Sequence, residues 1–278
     1  MDRKQLALNV SFHFFPSFFV DSTGILIRKV YFRRSSAMKK FNALSLFFFA
    51  VVIADLMIMN WGEPMLRFLS KPMLMPVLIF TYYASVKPLN FYSRCVCLAL
   101  FFSWVGDILL MFESSSPVFF IGGLTSFLMA HITYIYYFLN TRSVRQSYFR
   151  SRPLLLLPVA VIVIELLNVL WTSLGPFKLP VIIYGIVIGS MFAAALWQYK
   201  KLNNMVSLWF IAGAFSFILS DSILAINKFS LPFKEAGFMI MFTYCFAQYA
   251  IARGSLLHIK RGLDHPKSKA KLLINEHH

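Results

Sequence analysis

Acidic residues and cysteines are scarce in this chain of 278 residues. It has 11 Asp and Glu against 27 Lys and Arg, and only three Cys. So few cysteines exclude the disulfide framework of a small secreted domain. Charged residues make up only 14% of the chain and hydrophobic residues 59%, a balance that excludes an ordinary water-soluble domain.

The hydrophobic residues are concentrated in long runs. Bilayer hydrocarbon is about 30 Å thick, so a helix rising about 1.5 Å per residue needs roughly 20 apolar residues to cross it. The sequence therefore predicts an all-α, polytopic transmembrane helix bundle with about eight spans. A transmembrane β-barrel would alternate apolar and polar residues, which the runs do not. The predicted spans cover residues 41–60, 72–86, 93–111, 117–138, 153–171, 180–198, 206–226 and 237–256.

The basic residues lie between the apolar runs rather than on one patch, which indicates membrane topology and not nucleic-acid binding. Twenty-two of the 27 Lys and Arg lie in the N-terminal segment, the even-numbered gaps and the tail. By the positive-inside rule, both termini are predicted to be cytosolic, so the odd-numbered gaps face the lumen or exterior. The odd-numbered gaps hold only Arg67, Lys71, Lys178, Lys228 and Lys234.

Three parts follow from these boundaries. Residues 1–40 form a basic, Phe-rich N-terminal extension, residues 41–256 the eight-span domain, and residues 257–278 a polar, basic cytosolic tail. Within the extension, Leu6 to Val20 is too short and too polar to span and is expected to lie in the membrane interface. Close approach of span 6 to a neighbouring helix is expected at its G-x-x-x-G motif, Gly185 and Gly189.

Four carboxylates fall inside the apolar runs: Asp55, Asp107, Glu165 and Asp221. Each costs at least a few kcal/mol at bilayer depth, so a functional role is the default interpretation. All four lie on odd-numbered spans, four to six residues before the end of the span. That places them roughly 6 to 9 Å below the luminal boundary at about 1.5 Å per residue. A structural interhelical hydrogen bond remains open, above all for Asp55 and Glu165, whose flanks carry no distinctive pattern.

Other polar side chains share helix faces with these acids. Ser103 lies four residues before Asp107, and Tyr244 lies four residues before Gln248. If these faces converge, they form a luminal pocket that has carboxylates at its floor and lysines at its rim. The rim lysines, Lys71 and Lys228, could equally be boundary residues that extend to the membrane surface, and His131 of span 4 could be an interhelical hydrogen bonder.

Several segments together resemble one known family. They are Lys71-Pro72, Ser103-Trp104-Val105-Gly106-Asp107, His131 with Tyr134, Tyr184 with Met191, Ser220-Asp221 through Asn227-Lys228-Phe229, and Tyr244 with Ala247-Gln248. This set resembles the lysoplasmalogenase family of polytopic membrane proteins, also called the YhhN-like family. The two Asp motifs are its specific part. The N-terminal extension and Asp55 are not features of that family.

The resemblance implies an ether hydrolase that cleaves the vinyl ether bond of lysoplasmalogen. The products are a fatty aldehyde and glycerophosphocholine or glycerophosphoethanolamine. The family's two aspartates correspond to Asp107 and Asp221. The expected substrate-binding residues, including those grouped by helix face, are Lys71, Ser103, His131, Tyr184, Asn227, Lys228, Tyr244 and Gln248.

Vinyl ether cleavage requires protonation of the β-carbon, which leaves an oxocarbenium ion for water to capture. Two carboxylates in one apolar site suit this reaction, because one can hold its proton while the other stays ionised. The proton is expected on Asp107, beside Gly106 and Trp104, and the charge on Asp221, near Asn227 and Lys228. A lysine at the mouth could hold the substrate phosphate.

No cofactor is expected. His131 is the only His inside a span, which disfavours a zinc site, although an all-carboxylate metal site stays open. The expected partners are a lysophospholipid and membrane lipids, in the endoplasmic reticulum membrane if the chain is eukaryotic. A proton-coupled transporter and a non-catalytic lipid-binding protein are the alternatives, since buried acids also serve as proton relays.

Overall fold

Eight α-helices make up most of the part of the chain that the structure describes. This computed structural model describes residues 18–86, 89–141, 143 and 145–262, with side chains from residue 36 onward except that of Pro64. Short 3-10 turns precede α5 and α6. The predicted all-helical polytopic bundle is therefore confirmed. The helices are α1 (Phe18–Trp61), α2 (Pro64–Val86), α3 (Phe91–Met111), α4 (Pro117–Leu139), α5 (Leu157–Leu170), α6 (Lys178–Leu196), α7 (Asn204–Phe229) and α8 (Ala236–Gly262).

Each predicted span coincides with one helix, but the first helix is much longer than its span. α1 begins at Phe18 rather than near residue 41, so the second half of the predicted extension continues the first helix. Hydropathy marks where a helix leaves the membrane, not where its backbone hydrogen bonding ends. The predicted interfacial segment Leu6 to Val20 lies almost wholly outside the described residues, and residues 263–278 of the predicted tail lie outside them too.

Six helices in the described part of the chain are long and apolar enough to cross a membrane, and α2 and α8 do not meet this criterion. Both contain basic residues, Arg67 and Lys71 in α2 and Arg253, Lys260 and Arg261 in α8. α8 contacts α1, α2, α3 and α7, and α2 contacts α1, α3 and α8. The bundle is thus a multi-pass membrane domain, in which α2 and α8 contribute buried polar side chains.

Glycines allow the helices that carry the acids to approach closely. A Cβ at Gly106 of α3 would lie 2.7 Å from the Phe127 ring of α4, and one at Gly123 of α4 would lie 2.7 Å from the Leu110 side chain. The expected close approach at Gly185 and Gly189 is also present, against valines of α5. Small residues let helix backbones pack tightly where no hydrophobic force between helices operates.

A hydrogen bond anchors α2 to α3 next to Lys71. Pro76 has no N–H, so the carbonyl of Pro72 lacks its helical donor four residues on. The indole N–H of Trp104 donates to that carbonyl at 2.9 Å. Trp104 therefore supplies the hydrogen-bond donor that Pro76 lacks and holds α2 against α3 near Asp107.

Replacing Trp104 by Phe is expected to lower the free energy of unfolding by about 1–3 kcal/mol, because the Pro72 carbonyl is left without a donor. A thermal unfolding midpoint in detergent measures the loss. Trp209→Phe is the matched control, since no hydrogen bond of the Trp209 indole is found among the described residues and its ring contacts Tyr249. Equal midpoints for the two variants would contradict the role given to Trp104.

Candidate active site

Each of the two predicted catalytic aspartates accepts a hydrogen bond from a tyrosine of another helix. The Tyr244 hydroxyl of α8 donates to Asp107 Oδ2 of α3 at 2.7 Å. The Tyr184 hydroxyl of α6 donates to Asp221 Oδ2 of α7 at 2.5 Å. Each tyrosine therefore fixes the orientation of the carboxyl group that accepts its hydrogen bond. We call these the Asp107–Tyr244 pair and the Asp221–Tyr184 pair.

An apolar groove between α3, α4, α6 and α7 ends at the Asp221–Tyr184 pair. Its polar side chains are Tyr184 and Asp221, and Lys228 at its mouth; the rest of its wall is hydrocarbon and aromatic. The Asp221 side chain is 14% exposed. The lining residues are Leu110, Phe120, Leu124, Phe127, Val181, Tyr184, Asp221, Leu224, Ala225, Lys228 and Phe229.

Asp107 does not line this groove. It is 3% exposed, and the ring of Phe127, which does line the groove, packs on Gly106 beside it. Phe127 also contacts the Tyr244 ring, with 5.7 Å between centroids. The expectation that both acids open on one cleft is therefore not met: Asp221 lies on the groove, and the Asp107–Tyr244 pair lies behind an aromatic wall.

The residues directly before the two aspartates, Gly106 and Ser220, both hold neighbouring helices together. Gly106 lets Phe127 of α4 approach α3, and the Ser220 hydroxyl donates to the Ile240 carbonyl of α8 at 3.1 Å. Each acid is thus presented by a residue that ties its helix to the next helix in the chain. A small residue before each Asp therefore lets the helix that carries the acid pack against the next helix.

His131 lies beside the Asp221–Tyr184 pair. Its Nε2 is 3.9 Å from Asp221 Oδ2, and its ring makes edge contacts with Tyr184 and Phe217. It is completely buried, and neither ring nitrogen has a hydrogen-bond partner among the described residues. The structure therefore brings His131 to the acid at the groove. Among the described residues, no group of three or more His, Cys, Asp or Glu could hold a metal ion.

The next two predicted residues, Ser103 of α3 and Gln248 of α8, lie in the core of the bundle. Both are completely buried. Gln248 accepts a hydrogen bond from the Tyr134 hydroxyl at 2.7 Å, and its amide nitrogen has no partner among the described side chains. The Ser103 hydroxyl has none either. Neither residue lines the groove, so direct substrate contact stays a prediction for both.

Lys228 lies at the mouth of the groove, and Lys71 lies on α2, which packs against the helix that carries Asp107. Lys228 forms a salt bridge with Glu113 at 3.1 Å and lies over the Phe120 ring at the groove mouth. Lys71 of α2 is half-buried and interacts electrostatically with Asp107, Asp55 and Glu113. Glu113 is thus paired with Lys228 and is within electrostatic range of Lys71.

Asn227 has a structural task in addition to any role at the site. Its side-chain oxygen accepts from the Phe233 backbone N–H at 3.1 Å and so stabilises the connection from α7 to α8. Asn227 is not among the residues that line the groove. A part in substrate binding stays a prediction.

The remaining two membrane acids differ sharply from each other. Asp55 is buried and accepts a hydrogen bond from the Ser70 hydroxyl at 2.5 Å, and its other oxygen has no partner among the described residues. Glu165 is exposed on the outer face of α5. The four acids of similar predicted depth therefore do not form one constellation, because depth along a helix does not specify which way a side chain points.

Three aromatic and acidic residues of the site were not predicted from the sequence. Phe127 divides the two Asp–Tyr pairs, Phe120 forms the mouth of the groove, and Glu113 binds Lys228. Phe residues are so numerous in this chain that none stands out by type. Glu113 carried one signal, because it is an acid directly after the apolar run that holds Asp107.

These features define a multi-pass membrane protein with two Asp–Tyr pairs inside the helix bundle, one of them on a groove. The YhhN family model matches residues 66–255, and the chain belongs to the YhhN family. The predicted resemblance is therefore confirmed, and Asp55 and the N-terminal extension fall outside the matched residues, as expected.

Curated relatives carry the same name across distant organisms. The chain is 30% identical to human lysoplasmalogenase TMEM86B over 184 residues, which is 66% of this chain and 73% of that protein. It is 30% identical over 174 residues to the lysoplasmalogenase of Mycobacterium bovis, which covers 62% of this chain and 64% of that protein. Bovine lysoplasmalogenase TMEM86A is 28% identical over 190 residues, 63% of this chain and 71% of that protein. No solved structure gives a significant match. These names support lysoplasmalogenase function at the level of the family.

Proposed function

We propose that this protein is a lysoplasmalogenase that hydrolyses the vinyl ether bond of a lysoplasmalogen. The observation that carries the proposal is an apolar groove ending at the carboxyl group of Asp221, which Tyr184 holds by a hydrogen bond. An acid in a groove lined by hydrocarbon meets a lipid rather than a water-soluble substrate. The lysoplasmalogenase relatives support the same substrate.

The groove suits a lysolipid with one chain. Its leucine and phenylalanine side chains contact the part of the alkenyl chain next to the ether, while Lys228 at the mouth attracts the phosphate. Lys71 adds positive charge at the same end, and Glu113, which interacts with both lysines, attracts the cationic headgroup. The vinyl ether then lies between the hydrocarbon wall and the charged mouth, near Asp221.

The reaction needs one acid that touches the substrate. When Asp221 carries the proton, it transfers that proton to the β-carbon of the vinyl ether and becomes the anion that stabilises the oxocarbenium ion. Water adds to the cationic carbon and returns a proton to a carboxylate. The hemiacetal collapses to the aldehyde and the free glycerol hydroxyl, so no net proton is consumed. We thus assign the proton donor to Asp221, the opposite of the assignment expected from the sequence.

Asp107 has a supporting role in this scheme. It is a second buried carboxyl group, held by Tyr244 behind Phe127, and it accepts and returns the proton of the attacking water without touching the lipid. Lys71 interacts with Asp107 electrostatically and stabilises its charged form. The two acids therefore divide the work, with Asp221 at the substrate and Asp107 behind it.

We further propose that both termini are cytosolic and that the groove opens toward the lumen or exterior, in the endoplasmic reticulum membrane if the chain is eukaryotic. The mouth of the groove lies at the end of the bundle where the α3–α4, α5–α6 and α7–α8 connections meet. Phe120, Phe177 and Phe229 contact one another there, with centroids 5.6–5.7 Å apart. Few Lys and Arg lie in these connections.

The test is aldehyde release by the purified protein in lipid nanodiscs. A 1-alkenyl lysophospholipid is expected to give one aldehyde per molecule consumed, and the 1-alkyl ether with the same headgroup is expected to be inert, because it has no double bond to protonate. Fatty acid release from the 1-acyl lysolipid, or proton flux driven by the lysolipid without hydrolysis in sealed vesicles, would contradict the proposal. The second outcome would favour a proton-coupled transporter.

A further inference from the structure

Three completely buried residues between the two Asp–Tyr pairs have polar atoms without partners. These atoms are the Ser103 hydroxyl, both ring nitrogens of His131 and the Gln248 amide nitrogen. Each residue is 0% exposed. Buried polar groups without a partner are rare because each costs more than an ordinary hydrogen bond gains. Four such atoms in one layer of the bundle require a physical explanation.

The three residues join the pairs through the core. Ser103 lies one helical turn before Asp107 on α3, and Gln248 lies one turn after Tyr244 on α8. Tyr134, which donates to Gln248, lies one turn after His131 on α4. The His131 Nε2 reaches Asp221 Oδ2 at 3.9 Å. These contacts tie the three residues to the two Asp–Tyr pairs, and none of the three lines the groove.

We propose that Ser103, His131 and Gln248 bind internal water, and that this water connects the Asp107–Tyr244 pair to the Asp221–Tyr184 pair. A buried water forms about three hydrogen bonds to groups that otherwise lack partners, and such sites are polar rather than hydrocarbon-lined. A hydroxyl, an imidazole and an amide together offer both donors and acceptors. The ligand is therefore water itself, and no ion is required.

The water has a use that rests on the proposed function. Asp107 is separated from the substrate by Phe127, so a proton passing between the acids needs a route through the core. When water attacks the oxocarbenium carbon near Asp221, its O–H bond breaks and the proton passes through the internal water to Asp107. When the hemiacetal collapses, its hydroxyl proton passes to Asp221, which was ionised in the first step, and the proton on Asp107 returns by the same route to the leaving glycerol oxygen. Bonds and protons balance without another reactant.

The test compares Ser103→Ala with Ser103→Thr by thermal unfolding and by hydrolysis. If the site holds water, Ser103→Ala removes a hydrogen bond to that water, and its unfolding midpoint is expected to fall by about 2–4 °C. Its kcat is expected to fall about tenfold at unchanged KM. Ser103→Thr keeps the hydroxyl and is expected to restore both values. Ser85→Ala is the control, because the buried Ser85 hydroxyl already donates to the Thr81 carbonyl and lies outside the site.

The opposite results overturn the inference. In a dry core, Ser103→Ala removes an unsatisfied hydroxyl, so an unchanged or higher midpoint would exclude the water. A lower midpoint with unchanged kcat would exclude the relay. The thermal measurement needs no substrate. Absence of hydrolysis in the natural protein would therefore end the proposed function and the relay, while the midpoint of Ser103→Ala still decides whether water is bound.

Discussion

Asp221→Asn is expected to lower kcat for aldehyde release by roughly 10²–10⁴-fold, because the amide cannot donate a proton to carbon. The substitution keeps the volume of the side chain, and the asparagine oxygen can still accept from Tyr184. The bundle should therefore fold, which a thermal unfolding midpoint within a few degrees of the natural protein would verify. The measurement is aldehyde release under saturating 1-alkenyl lysophospholipid.

Glu165→Gln is the matched control for this variant. Glu165 is also an acid inside an apolar run near the end of an odd-numbered span, but it is exposed on the outer face of α5. Its substitution is expected to leave kcat and KM unchanged. If Asp221→Asn released aldehyde at the natural rate, or if Glu165→Gln lost as much activity, the assignment of Asp221 would be wrong.

Asp107→Asn is expected to lower kcat by roughly a hundredfold or more while KM for the lysolipid changes little. Asp107 does not line the groove, so the substrate makes no contact that the substitution removes. The proton of the attacking water then lacks the acceptor assigned to it, because Asp221 is engaged in stabilising the oxocarbenium ion. Initial rates over a range of lysolipid concentrations separate kcat from KM.

A buried acid outside the family match provides the control for Asp107. Asp55 is as buried as Asp107, and its hydrogen bond comes from Ser70. Asp55→Asn is expected to retain kcat within a few-fold, although both acids interact electrostatically with Lys71. A large rise in KM for Asp107→Asn, with kcat unchanged, would place Asp107 in substrate binding and contradict the supporting role given to it here.

Periodicity and hydropathy predict the helices of this protein well. Each of the eight predicted spans corresponds to one α-helix. A backbone in hydrocarbon must satisfy its own hydrogen bonds, so a long apolar run forms a helix. The same information does not locate the start of α1, since a helix can continue past the membrane wherever nothing breaks it. No proline lies between Pro16 and Pro64, and the helix ends just before the second of these.

The search for acids within apolar runs identified Asp107 and Asp221, but it did not distinguish them from acids outside the site. Asp107 and Asp221 each prove to be held by a tyrosine, whereas Glu165 points outward. All are carboxylates on odd-numbered spans, so composition and depth do not separate them. The direction in which each faces follows from how the helices are rotated against their neighbours, and that rotation depends on packing contacts far apart in the chain.

By itself, the sequence determined that this chain is a helical membrane protein, where its spans lie and which acids are costly enough to require a purpose. Those properties are local, because they depend on the hydropathy and charge of neighbouring residues. Only the tertiary structure decided that Tyr184 and Tyr244 pair with the aspartates and that Phe127 separates them. These contacts join helices distant in sequence, and their geometry is set by close packing at positions such as Gly106, where one added carbon would move the aromatic wall.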